Sequence, residues 1–294
     1  MSIFKKKFNY FKLFLHSLIT IFFLLMPREN EKILKSQQRV SEKLFKFYCY
    51  LKNFEKSDPT NNGEFKFLYK TLSKAAKNNH HNLTLFDIGS HHGEFVETIK
   101  KNSNRLSLQV TIHSFEPLAE NFQILANKFK QLQNVYLNNL AISTREGEDT
   151  MYANFSSSEG ASFSPRKNLS LIKNTFNYQE KVKKIRLDNY IKKQKIDSIY
   201  YIKIDVEGHE LATLESLGQY LNSNFIQYIH FEYNPDFEQK LADFYKLLSQ
   251  KNYHLYQITR QGNLYRQPYN LQQEKFFANY VACDVNKKFI NPTN

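Results

Sequence analysis

The stretch LTLFDIGSHHG, residues 83–93, constrains the fold of this chain more than any other segment. Its first half is an apolar run that is long enough for one buried strand and too short for a helix. The following segment, EFVETIKK, repeats apolar residues at helical spacing. A strand, a tight glycine turn and a helix form the geometry that binds a nucleotide-like cofactor at the carboxyl end of a parallel sheet.

The glycine pattern in this stretch narrows the class of cofactor. Asp87, Gly89 and Gly93 form D-x-G-x-x-x-G, not the G-x-G-x-x-G fingerprint of dinucleotide-binding enzymes. We expect Gly89 to let the backbone approach a ligand where a side chain would collide. A nicotinamide-dependent oxidoreductase is therefore disfavoured. By themselves, these residues also fit an ordinary strand-to-helix turn that binds no cofactor.

Further predicted strands also end in residues suited to a nucleoside. The strand VTIHSF, residues 110–115, is followed by Glu116 and Pro117. An acid at the tip of the second strand can accept hydrogen bonds from the two vicinal hydroxyls of a ribose. The third strand, residues 135–140, leads to Ala141, a small residue where an adenine ring could lie against the sheet edge.

The segment YYIKIDVEGHE, residues 200–210, places four ionisable groups after a fourth apolar strand: Asp205, Glu207, His209 and Glu210. These groups would repel one another unless a ligand, a metal or basic partners meet them. A fifth strand, residues 228–233, again carries an acid near its end, Glu232. Three of these acids, Asp205, Glu207 and Glu232, could serve as oxygen ligands of a divalent metal. No three-ligand spacing is evident, so we predict no metal site and leave metal assistance open.

Five segments together resemble the FkbM family of methyltransferases, in the same order and at suitable spacing. They are FDIGSHHGEF, SFEPLAENFQILANKF, KIRLDNYI, YIKIDVEGHE and HFEYNP, and they span residues 83–285. The resemblance implies a class I, Rossmann-like fold that uses S-adenosylmethionine. It also implies methyl transfer to oxygen, often to a hydroxyl of a sugar or a polyketide.

The resemblance also implies roles for residues of the cofactor site. Asp87, Gly89 and Gly93 would line the methionine end of the cofactor, Glu116 would hold the ribose, and Asp205 would lie beside the sulfonium. The complete predicted cofactor-binding set is Asp87, Gly89, His91, Gly93, Glu116, Pro117, Ala141 and Asp205.

Catalysis of methyl transfer requires alignment of an acceptor oxygen and removal of its proton. The candidate bases are His209, Glu207 and Asp205, and Glu232 could steer the acceptor. We favour His209, because an imidazole with an ordinary pKa near 6.5 accepts a proton at neutral pH. Asp205, beside a cation, would have a lowered pKa and be a poor base.

We predict an α/β fold with a seven-stranded, mostly parallel sheet, helices on both faces and an N-terminal helical extension. The last two strands, residues 253–259 and 277–284, would form an antiparallel edge. The expected domains are a basic and apolar segment over 1–56, a linker and helix over 57–82, and a methyltransferase domain over 83–294. Residues 147–165 are rich in Ser and Gly and are expected to form a mobile loop, either a lid over the acceptor or a plain surface loop.

The positive charge of the chain is concentrated at its N-terminus. Residues 1–56 carry 12 Lys and Arg against 4 Asp and Glu, whereas the remaining residues carry 29 against 24. This distribution weakens a nucleic-acid interaction and favours an anionic membrane surface. An apolar run over residues 11–26 is shorter than the roughly 20 residues that span a bilayer. It could be an uncleaved interfacial anchor, a helix packed on the body, or a cleaved signal.

The expected acceptor is a small molecule or glycan, with no nucleic acid as partner. We expect a cytoplasmic protein that is associated with the membrane through residues 1–56. The competing functions are an RNA or protein methyltransferase and a non-catalytic membrane-surface module. The two cysteines, Cys49 and Cys283, fit neither a disulfide framework nor a zinc site.

Overall fold

A computed structural model describes residues 62–80, 82–158, 160–163, 177–266, 268–271 and 273–284. The predicted N-terminal segment over 1–56, most of the linker and part of the loop before β6 lie outside these residues. Within the described ranges, no helix combines the length and apolar character needed to cross a membrane.

The described chain alternates strands and helices. Its helices are α1 (Glu64–Lys77), α2 (Glu94–Arg105), α3 (Ala119–Phe129), α4 (Leu187–Gln194), α5 (Glu210–Glu215) and α6 (Leu241–Ser249). Its strands are β1 (Asn82–Ile88), β2 (Gln109–Phe115), β3 (Val135–Asn138), β4 (Ala141–Ile142), β5 (Gly147–Ala153), β6 (Tyr178–Ile185), β7 (Ile199–Ile204), β8 (Ile226–Tyr233), β9 (Tyr253–Ile258), β10 (Leu264–Tyr265) and β11 (Ala278–Asp284). Two short 3₁₀ turns cover Gly218–Tyr220 and Gln273–Lys275.

The main sheet has the order β10-β9-β11-β8-β7-β1-β2-β3. The neighbouring strands β8, β7, β1, β2 and β3 pair in parallel, and β11 is antiparallel to both of its neighbours, β8 and β9. This topology confirms the predicted class I methyltransferase fold. The strand count differs slightly: the sheet has eight strands rather than seven, because the short β10 adds to β9 at the edge.

The last two long strands, β9 and β11, form the antiparallel side of the sheet, as the sequence predicted, and β11 is the inner strand of this pair. The chain leaves β8, forms α6 and β9, and then returns to insert β11 between them. All of its residues except the last are buried, as an internal strand requires. The sequence indicated that β9 and β11 pair, but it could not show that β8 is the second neighbour of β11.

Helices cover both faces of the main sheet, because its parallel strands are apolar on both sides. On one face, Phe67 of α1 packs against Tyr201 and Tyr228, with ring centroids 6.1 and 6.0 Å apart. On the other face, Tyr190 of α4 meets Phe86 and Phe115 edge-on. The helix predicted within residues 57–82 is α1, and its apolar residues are part of the core of this domain.

A second, three-stranded sheet has the order β4-β6-β5, and its β5 lies within the segment that we expected to be a loop. Residues 147–153 pair antiparallel with residues 178–184 of β6. The expectation of a loop over 147–153 is therefore wrong. The hydrophobic pattern is weak here because these strands bury few side chains, among them Met151, Ala153 and Val182.

Candidate functional site

The carboxyl ends of β1, β2 and β7 meet at a solvent-open cleft of about 530 Å³. The predicted site residues in its lining are Gly89, His91, Glu116, Pro117, Ala141, Asp205 and Glu207. Asp87, Gly93, His209 and Glu232 are outside this lining.

Glu116 is held in the cleft by backbone donors. Its Oε2 accepts a hydrogen bond from the backbone N–H of His91 at 2.8 Å, and its Oε1 accepts one from that of Leu118 at 3.0 Å. The side-chain amide of Asn121 also donates to Oε1, at 3.4 Å. Burial raises the pKa of Glu116 to about 7, against the opposing effect of these hydrogen bonds.

Gly89 permits a close contact within the protein. Its φ is 86°, and a Cβ at this position would lie 1.8 Å from the carbonyl oxygen of Asp205. The amide of Asp205 in turn donates to the carbonyl of Ile88 at 2.9 Å. Gly89 therefore lets the turn after β1 lie against the turn after β7, and both turns line the cleft.

Gly93 lies where the start of α2 packs closely against α3. Its φ is 84°, and a Cβ here would come within 2.4 Å of Phe129 and 2.6 Å of Leu125, both on α3. The absence of a side chain lets the start of α2 pack directly on α3. Gly93 thus shapes the turn that carries His91 without itself lining the cleft.

His91 is the second positive-φ residue in the turn after β1, with φ of 47°. This conformation directs its backbone N–H at Glu116. Its ring stacks on that of His92, with centroids 3.7 Å apart. A left-handed, non-glycine residue in a turn that lines a cleft is a feature that clusters at functional sites.

Several residues of the cleft were missed by the sequence reasoning. Asn121 on α3 is buried and hydrogen-bonds Glu116, Ser158 and His92. Apolar residues form one wall of the cleft: Leu140, Ile142, Met151, Ala161 and Phe163. Asn121 belongs to the quoted segment SFEPLAEN, so its distance of five residues from Glu116 could have identified it as a residue one turn into the next helix.

Lys203 neutralises part of the acidic cluster at this edge of the sheet. Its Nζ lies 3.0 Å from Oδ2 of Asp205 and 3.4 Å from Oε1 of Glu64. Burial alone would lower the pKa of Lys203, but the carboxylates of Glu64, Asp205 and Asp87 hold it well above its usual value. The sequence analysis expected a basic partner for these acids. That partner is Lys203, two residues before Asp205 on β7.

Asp87 lies beneath the cleft and pairs in register with Lys203 of β7. It is fully buried, and neither carboxylate oxygen has a hydrogen-bond partner among the described residues. Burial raises the pKa of Asp87 to about 6, and Lys203 opposes this shift.

Glu210 is the acid of the cluster that stabilises the local backbone. Its Oε1 accepts hydrogen bonds from the backbone N–H groups of Val206 and Gly208, at 3.2 and 3.1 Å, and its Oε2 accepts one from Gln239. Burial raises the pKa of Glu210 to about 7. These bonds stabilise the turn in which Glu207 adopts a φ of 51° and lines the cleft.

His209 lies beside the cleft rather than in its wall. Its Nε2 is 3.1 Å from Oγ of Ser143, and its ring packs against Phe163, which does line the cleft. Burial lowers the pKa of His209, with the nearby Lys184 acting in the same direction. The imidazole is therefore neutral near pH 7.

Glu232 pairs in register with Asn279 of β11. Within the described ranges, no group of three or more His, Cys, Asp or Glu side chains could hold a metal ion.

The sequence matches the model of the methyltransferase FkbM domain over residues 87–255. The chain therefore belongs to the FkbM methyltransferase family. This match confirms the resemblance seen in the motifs, and with it the assignment to methyltransferases that use S-adenosylmethionine. The helix α1 and the strands β10 and β11 lie outside the matched residues.

Solved structures of other methyltransferases resemble this chain at low identity. Methyltransferase FkbM from Methylobacillus flagellatus KT is 12% identical, with a TM-score of 0.43 over 68% of this chain and 44% of its own, so less than half of that relative is spanned. The plantazolicin methyltransferase BpumL, solved with S-adenosylhomocysteine (SAH), is 12% identical, with a TM-score of 0.35 over 85% and 90%. An rRNA methylase from Streptococcus thermophilus is also 12% identical, with a TM-score of 0.36 over 74% and 93%. A comparison with curated proteins gave no match.

We predict that SAH binding weakens about tenfold from pH 8 to pH 6, because a protonated Glu116 cannot accept from both ribose hydroxyls. The sign follows from a pKa of about 7: the accepting carboxylate dominates above this pH and the neutral acid below it. Glu116→Gln should lose on the order of 1.5–3 kcal/mol of binding at pH 8 and most of the pH dependence. Isothermal titration calorimetry at both pH values measures this, with Glu97→Gln, on the exposed face of α2, as the control. Equal affinities of the unmodified protein at pH 6 and pH 8 would contradict the prediction.

Proposed function

We propose that this protein transfers the methyl group of S-adenosylmethionine to a hydroxyl oxygen, most readily that of a sugar, a glycan or a related metabolite. The observation that carries the proposal is the single cleft that unites Glu116, Asp205 and Glu207 at the carboxyl edge of a methyltransferase sheet. The bound cofactor would supply an electrophilic methyl group. The protein would bind the cofactor, orient the acceptor hydroxyl and remove its proton.

The residues of the cleft fit this cofactor. Glu116 offers a carboxylate to a ribose, and the wall that includes Leu140, Ile142 and Phe163 offers an apolar surface to an adenine ring. Asp205 also lines the cleft, and beneath it Asp87 has two buried oxygens without a hydrogen-bond partner among the described residues. Carboxylates there suit the cationic methionine end of S-adenosylmethionine.

Two groups are candidates for the proton acceptor. Glu207 is supported by its position in the lining of the cleft, on a turn whose conformation is held by Glu210. His209 is supported by the lowered pKa that keeps it neutral. We favour Glu207, because a general base has to come within hydrogen-bond reach of the acceptor, and geometry takes precedence over pKa.

An oxygen acceptor is supported by the sequence immediately after the fourth parallel strand, β7. Amine methyltransferases of RNA and protein carry an Asn-Pro-Pro-aromatic signature there, whereas this chain has Asp205-Val206-Glu207-Gly208. The similar sequence Asn234-Pro235-Asp236-Phe237 comes after β8 instead. The modest net charge of residues 57–294 also disfavours a nucleic-acid acceptor.

Transfer of a radiolabelled methyl group to a panel of glycans, hydroxylated lipids, RNA and peptides tests the proposed acceptor. We expect label in the glycan or small-hydroxyl fraction, in a linkage that survives treatments that cleave methyl esters. Label only in RNA or in peptide amines would replace the proposal with its competitor.

We expect Glu207→Gln to lower the single-turnover rate by roughly 10²–10⁴, the usual contribution of a general base, while SAH binding changes little. His209→Ala should lower the rate less than tenfold, because His209 is outside the cleft lining. Single-turnover rates and SAH affinities of both variants, measured side by side, decide between the two groups. A slow His209→Ala enzyme with a near-normal Glu207→Gln enzyme would transfer the role to His209.

We propose further that residues 1–56 hold the protein on an anionic membrane surface, with the catalytic domain on the cytoplasmic side. Support comes from the sequence, where a basic excess flanks an apolar run too short to span a bilayer. The full chain should sediment with vesicles that contain phosphatidylserine and be released by salt. A chain that stays in the supernatant with both anionic and neutral vesicles at low salt would contradict this proposal.

A further inference from the structure

Two carboxylates, from different parts of the chain, contact one ammonium group beneath the cleft. Glu64 of α1 and Asp205 at the end of β7 both lie within 3.4 Å of Nζ of Lys203. Only 4% of the Glu64 side chain and 12% of the Lys203 side chain are exposed. Because water is largely excluded, these charges interact more strongly than a surface pair would.

Glu64 is fixed in this position although it lies outside the family-matched residues 87–255. The side chain of Asn62 accepts from the backbone N–H of Glu64 at 2.9 Å. Further along α1, the carbonyl of Thr71 accepts from the hydroxyl of Tyr200 on β7 at 2.6 Å. The helix is thus anchored to the same strand that carries Lys203.

The charges in this group do not balance. Three carboxylates, those of Glu64, Asp87 and Asp205, surround the single ammonium of Lys203, whose Nζ also lies 5.2 Å from the ring centre of Phe95. Asp87 has no hydrogen-bond partner for either oxygen among the described residues. The group therefore has more negative than positive charges. Asp205 is the member of the group that lines the cleft, so part of this negative charge lies at the cleft surface.

We propose that Glu64 is a positioning residue of the cofactor site, which acts through Lys203 to keep this end of the cleft negative and so favours the cationic S-adenosylmethionine over neutral SAH. The inference rests on the proposed function. Both ligands share the same amino acid and nucleoside groups and differ in the charge on sulfur. A change in the charge of the site therefore alters the ratio of their affinities, whereas a general loosening of the fold weakens both.

The test compares the affinities of the full-length protein for S-adenosylmethionine and SAH by calorimetry. Glu64→Gln should shift the ratio of the two affinities toward SAH by about three- to tenfold, as expected when one negative charge is removed from a partly buried region near the ligand. Glu64→Met removes the charge with an apolar side chain of similar length and is the second variant if the first folds poorly. Glu64→Asp keeps the charge and should leave the ratio within twofold of the unmodified protein.

Two controls separate charge from structure. Asp197→Asn removes one exposed carboxylate at the opposite end of β7 and should leave both affinities unchanged. Ala75→Gly weakens the buried side of α1 without a change of charge and should lower both affinities by the same factor.

Three outcomes are informative. A shift of the ratio in Glu64→Gln or Glu64→Met that is absent from Glu64→Asp and Ala75→Gly supports the inference. Equal loss of both affinities in the Glu64 variants overturns it and leaves the proposed function intact. Failure of the unmodified protein to bind either ligand overturns the proposed function and this inference with it.

Discussion

The backbone contact between the turns after β1 and β7 is the constraint on which the site depends. The amide of Asp205 bonds the carbonyl of Ile88, and the carbonyl of Asp205 occupies the space that a side chain at position 89 would need. The two turns are thereby held at one edge of the sheet. Because parallel strands end at the same edge, the side chains that follow them converge on a single cleft.

The acids of this edge can coexist because most of them are met by specific donors. Backbone N–H groups bond Glu116 and Glu210, and Lys203 pairs with Asp205. The exceptions among the described residues are Asp87, whose two buried oxygens have no hydrogen-bond partner, and Oε1 of Glu64, which has only the ion pair with Lys203. The acids beneath the cleft therefore outnumber the donors that meet them, and Asp205 is the member of this group that lines the cleft.

Much of the fold could be predicted from the sequence, because a buried strand is recognised from a short, local run of apolar residues. Strands such as β1 and β7 are buried on both faces and so are continuous apolar runs, which are visible in the sequence. The strands β5 and β6 bury few side chains and carry little such signal. The position of β11 between β8 and β9 depends on long-range pairing, which no local pattern encodes.

For the site, the sequence by itself determined the chemistry and the tertiary structure decided the geometry. An acid or a glycine at the end of an apolar run already indicated the family and the residues near the cleft. It could not show that Glu207 lines the cleft while His209 packs against Phe163. Both come from one turn, whose conformation is held by Glu210, and Glu210 is in turn bonded by the distant Gln239. Nor could it bring Glu64 to Lys203, since residues so far apart along the chain meet only when α1 packs on β7.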